Sequence, residues 1–220
     1  MGGVGIDVLA ASARHRLAGA LARRTWTDGA VVFHEGDDGD GLYVIVSGIA
    51  AVEVVSRQGD VVTLTLLGAG NCFGELSLFG DENTRTATVR VLGSLEAIVL
   101  GRSDVERLRA EHRDVDRFLL DVMAAQVRRL SSLVVEAHHS SAEARIVHRL
   151  GAAAHLFARD GQPVVVRLTQ EQLASMAGAT RPTTNRVLRS LEADGIVRRR
   201  HGAIEICDPV HLADRARALE

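Results

Sequence analysis

Residues 168–197 read LTQEQLASMAGATRPTTNRVLRSLEADGIV, and the fold of the C-terminal part follows from this stretch. Thr169 and Gln172 stand at the spacing of a capping box and predict a helix over 170–176. Gly178 permits the left-handed turn that lets the chain reverse. Proline is tolerated only in a first helical turn, so Pro182 marks Thr180–Pro182 as the start of a second helix. Val187, Leu188 and Leu191, with Ala174 and Met176 of the first helix, make one apolar face. Arg181, Thr184, Asn185, Arg186 and Arg189 fall largely on the other. Two helices around a tight turn, the second rich in Arg, Asn and Thr, predict a helix-turn-helix aimed at a DNA groove.

The flanks extend this module. A short strand is expected at Val164–Arg167. After Gly195 the run IVRRRHGAIEI reads as a hairpin turned at His201–Gly202, which makes the module winged. Arg198, Arg199, Arg200 and His201 sit on the wing, where phosphate contact is the natural role. Thr169, Thr180, Pro182 and Thr183 at the two helix starts complete the expected DNA-facing set. A lone surface arginine is ordinarily just solvated, so it is the combination that carries the reading.

Charge supports it. The chain of 220 residues has a net charge of −2, and its 26 basic residues are all arginine. Residues 1–139 hold 14 Arg against 19 acidic residues, whereas residues 140–220 hold 12 against 9. An acidic half and a basic half point to a nucleic-acid module in the second. Arginine suits phosphate and guanine because its planar fork makes bidentate contacts.

Further upstream, Leu119, Met123, Val127, Leu130, Val134 and Ala137 step by three and four. They predict one long helix over about 114–137 with a heptad-like stripe. Such a stripe serves either dimerisation or packing on its own domain. Ser140 with Glu143 has capping-box spacing and opens another helix near 142–158. Residues 29–80 are glycine-rich and carry short runs of Val, Ile, Leu and Thr. The runs Ala30–Phe33, Leu42–Val46, Ala50–Val55 and Val61–Leu67, then Ala87–Val91 and Ala97–Leu100, predict a small β-roll punctuated by Gly48 and Gly93 among others. Residues 7–24 look helical. Only seven residues are aromatic, so an aliphatic core is expected.

One segment of the roll carries chemistry: Phe73-Gly-Glu-Leu-Ser-Leu-Phe79, followed by Arg85-Thr-Ala-Thr-Val89. A turn at Glu75–Leu78 offers backbone amides to an anion. Arg85 suits a phosphate, Thr86 adds a hydroxyl, and Glu75 can accept from a sugar hydroxyl. The competing reading is a Glu75–Arg85 ion pair bracing a glycine-rich turn.

FGELSLF with TRTATV resembles the phosphate-binding cassette of cyclic-nucleotide-binding domains. The order β-roll, long helix, winged helix-turn-helix resembles the cyclic AMP receptor protein/FNR (Crp/Fnr) superfamily over about residues 20–207. The resemblance implies an α+β architecture: a cyclic-nucleotide-binding sensor over 1–113, a dimerisation helix over 114–139 and a DNA-binding winged helix-turn-helix over 140–220. It implies a homodimeric regulator controlled by a cyclic nucleotide, foremost cyclic AMP and then cyclic GMP, with RNA polymerase as a further partner. The alternative is a member of the family that needs no ligand or senses another small molecule.

The same resemblance places Gly74, Glu75, Leu76 and Ser77 at the cassette turn, Glu75 on the ribose and Arg85 with Thr86 on the cyclic phosphate. Leu64 and Thr65 line the pocket from a facing strand. The adenine-contacting pair of the long helix falls on Leu130 and Ser131. Ser131 matches; Leu130 departs, and also lies on the apolar stripe. Arg181 and Arg186 match DNA-contacting positions. Pro182 stands where a base-reading Glu is found in the family, so the operator is not carried over.

Other classes are poorly supported. Cys72 and Cys207 are too few for a disulfide framework or a zinc site. A cupin-like metalloenzyme needs clustered histidines, and His34 is the only one between residues 16 and 111. No catalytic triad is recognisable, so no enzymatic activity is expected. An N-terminal iron–sulfur cysteine cluster is missing, and His138 and His139 lie outside the roll. No export signal pattern and no apolar span are visible, and a cytoplasmic location is expected.

Overall fold

The computed structural model describes residues 22–79, 83–159 and 161–219. In chain order the elements are β1 (Ala22–Trp26), β2 (Val31–Phe33), β3 (Gly41–Val55), β4 (Val61–Leu67), β5 (Cys72–Phe73), a 3₁₀ turn (Glu75–Leu78) and β6 (Thr88–Gly101). There follow α1 (Arg102–Glu111), α2 (Arg113–His139), α3 (Ala142–Phe157), β7 (Val164–Val166), α4 (Gln170–Met176), α5 (Arg181–Ala193), β8 (Val197–Arg200), β9 (Ala203–Ile206) and α6 (Pro209–Arg217). Two compact units are present. Among the described residues, one comprises the chain from Ala22 to Val54 with Leu67–Ser131; the other comprises Val55–Leu66 with the residues from Ser132 onward.

In the first unit the sheet order is β1-β6-β3, with β2 on β6 and β5 on β3. The two apolar runs expected on either side of Gly48 form one strand, β3. Those on either side of Gly93 form one strand, β6. The glycines do not end the strands because the β3–β6 ladder absorbs Gly48 as a register shift. Residues 22–24, read as helical, are strand: Ala22–Trp26 pairs with Leu95–Val99. The rest of that expected helix, residues 7–21, lies outside the described residues. The sequence reading also missed α1 and α6.

Strand periodicity sorts β3 onto two cores. Leu42 and Val44 join Leu100, Val105, Leu108, Val115, Phe118, Leu119 and Val122 beneath α1 and α2. Tyr43 and Ile45 point the other way, into the roll, with Ala50, Phe73, Val89, Val91 and Leu95. The roll interior is not purely aliphatic. Trp26, Phe33, Tyr43 and Phe73 gather there, with Tyr43 and Phe73 stacked at 5.0 Å and 8°.

The long helix meets one of the two purposes that its stripe allowed, packing on its own domain. Its N-terminal half packs on the roll through Val115, Phe118, Leu119 and Val122. Its C-terminal half leaves Val127, Leu130, Val134 and Val135 exposed. The register of the exposed stripe begins one residue later than expected. Leu119 is 3% exposed and belongs to the core, while Leu120 is 69% exposed and continues the heptad with Val127 and Val134.

In the second unit α3 is capped by Ser141, whose side chain accepts from Ala144 N at 3.1 Å. The expected cap, Ser140, instead offers its carbonyl to Arg145 Nη1 at 2.6 Å, and Glu143 pairs with Arg215. The core is aliphatic: Ile146, Val147, Leu150, Leu168, Leu173, Leu188, Leu191 and Ile204 are all fully enclosed. In the same unit Thr63 N–H donates to Ser175 Oγ on α4 at 2.7 Å.

Leu119→Ala is expected to lower stability by about 2–5 kcal/mol, the cost of truncating a buried leucine. Urea unfolding of the variant measures it.

Candidate functional site

The 3₁₀ turn at Glu75–Leu78 starts at Gly74, which holds φ +81°. Any Cβ there would lie 2.5 Å from Arg85 Nη1 and 3.0 Å from Gly41 O. Glycine is required twice over, for the left-handed backbone and for the approach of the guanidinium.

Arg85 is the centre of this region, at 3% exposure. Its Nη1 donates to Gly41 O at 2.9 Å, Gly74 O at 3.0 Å and Ser77 Oγ at 3.1 Å. Ser77 Oγ donates in turn to Gly74 O at 2.9 Å. The guanidinium lies over the Phe33 ring at 4.1 Å and near Tyr43 at 5.4 Å, which stabilises the cation from its face. Its Nη2 forms an ion pair with Asp40, whose side chain is 60% exposed and also accepts from the Tyr43 hydroxyl. The buried Nε of Arg85 has no hydrogen-bond partner among the described residues. Asp40 was not foreseen, and it replaces the Glu75–Arg85 pair that the sequence left open. Arg102 supports the turn from below by donating to the Ser77 carbonyl and to Asn83.

Glu75 is also buried, and its carboxyl is pushed above the usual carboxylate range. Burial is the main cause; its own backbone amide and the charge of Arg85 oppose the shift. The nearby Cys72 thiol is pushed up to about 12 by burial and by Glu75, so it is not a nucleophile. Leu76 and Thr86 are exposed at the rim, and Ser77 is buried beneath it. Leu130 and Ser131 are exposed on α2. Leu64 and Thr65 lie on β4 in the second unit, Leu64 exposed and Thr65 donating to Leu66 O.

The second unit presents a basic helix. Thr169 caps α4 in a complete capping box with Gln172, so its hydroxyl is engaged in folding. Gly178 adopts φ +55° in the turn. Arg145 fastens that turn, donating to Ala177 O at 2.8 Å and Gly178 O at 3.2 Å. Thr180 caps α5, accepting from Thr183 N, and Pro182 lies in its first turn. Pro182, Asn185, Arg186 and Arg189 line an open cavity of about 310 Å³ on α5. Arg181, Arg186 and Arg189 are exposed and form no hydrogen bond or ion pair among the described residues.

Thr184, expected on the same face, is fully buried, and its hydroxyl has no partner among the described residues. It lies three residues before Val187 and four before Leu188, so helical geometry places it on the core side. On the wing, Arg198 and Arg200 share Glu205. His201 is exposed in the turn between β8 and β9. Glu192 pairs with Arg199, and the backbone and side-chain donors of Arg199 hold its carboxyl below the usual range.

Residues 23–112 match the cyclic nucleotide-binding domain family, and residues 144–215 match the Crp-like helix-turn-helix domain. The chain belongs to the Crp/Fnr superfamily. It is 31% identical over 192 residues to the CRP-like cAMP-activated global transcriptional regulator of Mycobacterium tuberculosis, covering 86% of this chain and 85% of that one. It is 32% identical over 198 residues to the cyclic AMP receptor protein of Thermus thermophilus, covering 90% and 89%. Among solved structures, the c-di-GMP-responsive global regulator CLP of Xanthomonas campestris superposes with a TM-score of 0.71 at 23% identity, over 90% of this chain and 99% of that one. As a Crp/Fnr member the chain is a DNA-binding transcription regulator with a cyclic nucleotide-binding domain. Among the described residues no cluster of His, Cys, Asp or Glu is suited to a metal, and no helix is long and apolar enough to cross a membrane.

Gly74→Ala is expected to cost at least about 1–2 kcal/mol of stability in the β-roll unit from the left-handed backbone alone. A melting curve followed by circular dichroism checks it.

Proposed function

We propose that this chain is a homodimeric cytoplasmic regulator whose DNA affinity is set by a cyclic nucleotide, with cyclic AMP as the first candidate and cyclic GMP as the second. The observation that carries the reading is Arg85, a buried guanidinium with an unused Nε and one exposed, displaceable carboxylate partner. A cyclic phosphate supplies the same charge as Asp40 and can replace it. Glu75 then accepts from a ribose hydroxyl, while Gly74, Leu76, Ser77 and Thr86 shape the turn around the ligand. The relatives named as cAMP-activated and as a cyclic AMP receptor support this ligand class.

In this reading residues 1–113 sense, 114–139 pair two subunits and 140–220 read DNA. The exposed apolar residues of α2 supply the pairing surface. Helix α5 enters the major groove with Arg181, Asn185, Arg186 and Arg189, and Arg198, Arg200 and His201 of the wing meet phosphates. Ligand shifts the population between two arrangements of the dimer and so changes operator affinity.

A second reading has a specific basis. Leu130, half exposed and apolar, cannot hydrogen-bond adenine at the position implied by the family resemblance. It favours a family member that responds to another molecule or to none. Titration calorimetry on protein freed of bound ligand separates the two. Cyclic AMP or cyclic GMP is expected to give a saturable heat that Arg85→Leu abolishes. No heat with either, together with DNA affinity unchanged by both, establishes the second reading.

Because burial raises the pKa of Glu75, ligand affinity is expected to increase as pH rises through its titration, since only the carboxylate accepts the hydroxyl. The sign for stability is opposite. A raised carboxyl contributes stability at low pH that is lost as pH rises through the folded value. Glu75→Gln is therefore expected to flatten the pH profile of binding and to raise the melting temperature near neutral pH but not in acid.

Val127→Asp with Val134→Asp is expected to halve the mass seen by light scattering while leaving the sensor folded. Both residues are exposed and neither contributes to the core.

A further inference from the structure

Three consecutive wing arginines face different surroundings. Arg198 and Arg200 are more than half exposed and share the Glu205 carboxylate across the hairpin. Arg199 is only 28% exposed on its side chain and lies along α5. Its Nε donates to Glu192 Oε2 at 2.7 Å, its Nη2 pairs with the same carboxylate at 2.6 Å, and its backbone N–H donates to Glu192 Oε1 at 2.8 Å. Its Nη1 donates to Asn185 Oδ1 at 3.3 Å. Asn185 and Glu192 are two helical turns apart on one face of α5, about 10 Å along the axis. One guanidinium bridges them.

The bridge fixes a polarity. A guanidinium has donors and no acceptor, so Asn185 must face Arg199 with its oxygen. Its NH₂ is then the group it offers to the cavity shared with Pro182, Arg186 and Arg189. An untethered asparagine turns its amide over and presents donor or acceptor with equal ease. This one is held as a donor.

We propose that Arg199 and Glu192 are positioning residues for base recognition: they hold Asn185 as a hydrogen-bond donor that selects acceptor edges in the major groove, namely purine N7, guanine O6 or thymine O4, and rejects the amino groups of cytosine and adenine. This rests on the reading in which α5 enters the groove. It reassigns Arg199, which the sequence placed among the phosphate contacts. The Arg199 guanidinium is already held by hydrogen bonds to Glu192 and Asn185 and by a second contact to the Glu192 carboxylate, which direct it along α5 rather than outward.

The test is selection from a randomised duplex library with the full-length chain, followed by affinity measurements at several salt concentrations. Wild type is expected to enrich a motif. Arg199→Ala and Arg199→Lys are each expected to flatten preference at one base pair by at least about fivefold, the lower end for one oriented contact, with the salt slope unchanged. Asn185→Ala is expected to flatten the same pair, and the double variant to lose no more than either single one. Asn185→Asp keeps the Arg199 contact but offers no donor, so it is expected to remove the preference even where Arg199→Ala fails to fold. Arg198→Ala supplies the contrast: weaker binding to every sequence and a salt slope lower by about one.

If Arg199→Ala instead behaves like Arg198→Ala, with the motif intact, the relay is overturned and groove reading stands. If Asn185→Asp leaves the motif intact, the relay is likewise overturned. If wild type binds DNA but enriches no motif, the groove reading itself fails.

Discussion

A guanidinium buried to 3% exposure is the constraint around which the β-roll unit is built. An unpaired charge in a low-dielectric interior costs several kcal/mol, so Arg85 persists only because its surroundings compensate it. The carbonyls of Gly41 and Gly74 and the hydroxyl of Ser77 accept its protons, and two aromatic rings cover its face. These demands account for features that otherwise look unrelated. Gly74 must lack a side chain, Ser77 must be a small hydroxyl residue, and four of the seven aromatic residues collect in one roll interior. Asp40 is the exposed member of the set, the one charged partner of Arg85 that solvent reaches.

The reading unit follows a different logic. Its core is aliphatic, and its charges stand outside, where helix capping and ion pairs set direction rather than supply much energy. Thr169, Thr180 and Ser141 begin three helices, and Arg145 fastens the turn between two of them. Arginine without lysine has a consequence here. Only a planar fork reaches Glu192 and Asn185 together, so the wing is tied to the reading helix by a contact that lysine cannot copy.

Much of this was legible in the sequence where the signal is local. Val61–Leu67 forms the strand that its apolar run announced. Gln170–Met176 forms the helix that its capping box announced, and the wing turns at His201–Gly202. Strand breaks at Gly48 and Gly93 were misjudged because a paired strand tolerates a glycine that a lone segment does not. Thr184 was assigned to the outer face by its polarity, whereas its spacing to Leu188 already put it inside. The choice between Leu119 and Leu120 was not legible at all, because adjacent leucines serve equally well in a pattern until a partner surface selects one.

The amino-acid sequence by itself determined the order of the units, the starts of the reading helices and the family, since caps, prolines, alternation and the cassette are short-range patterns carried by neighbouring residues. Tertiary structure decided which groups meet. Asp40 rather than Glu75 neutralises Arg85, Leu119 packs while Leu120 stays exposed, and Arg199 turns inward to Asn185 while Arg198 and Arg200 do not. The physical reason is the same in each case. These pairings depend on the distance and direction between side chains on separate elements or at different registers of one element, and only the packed fold sets those.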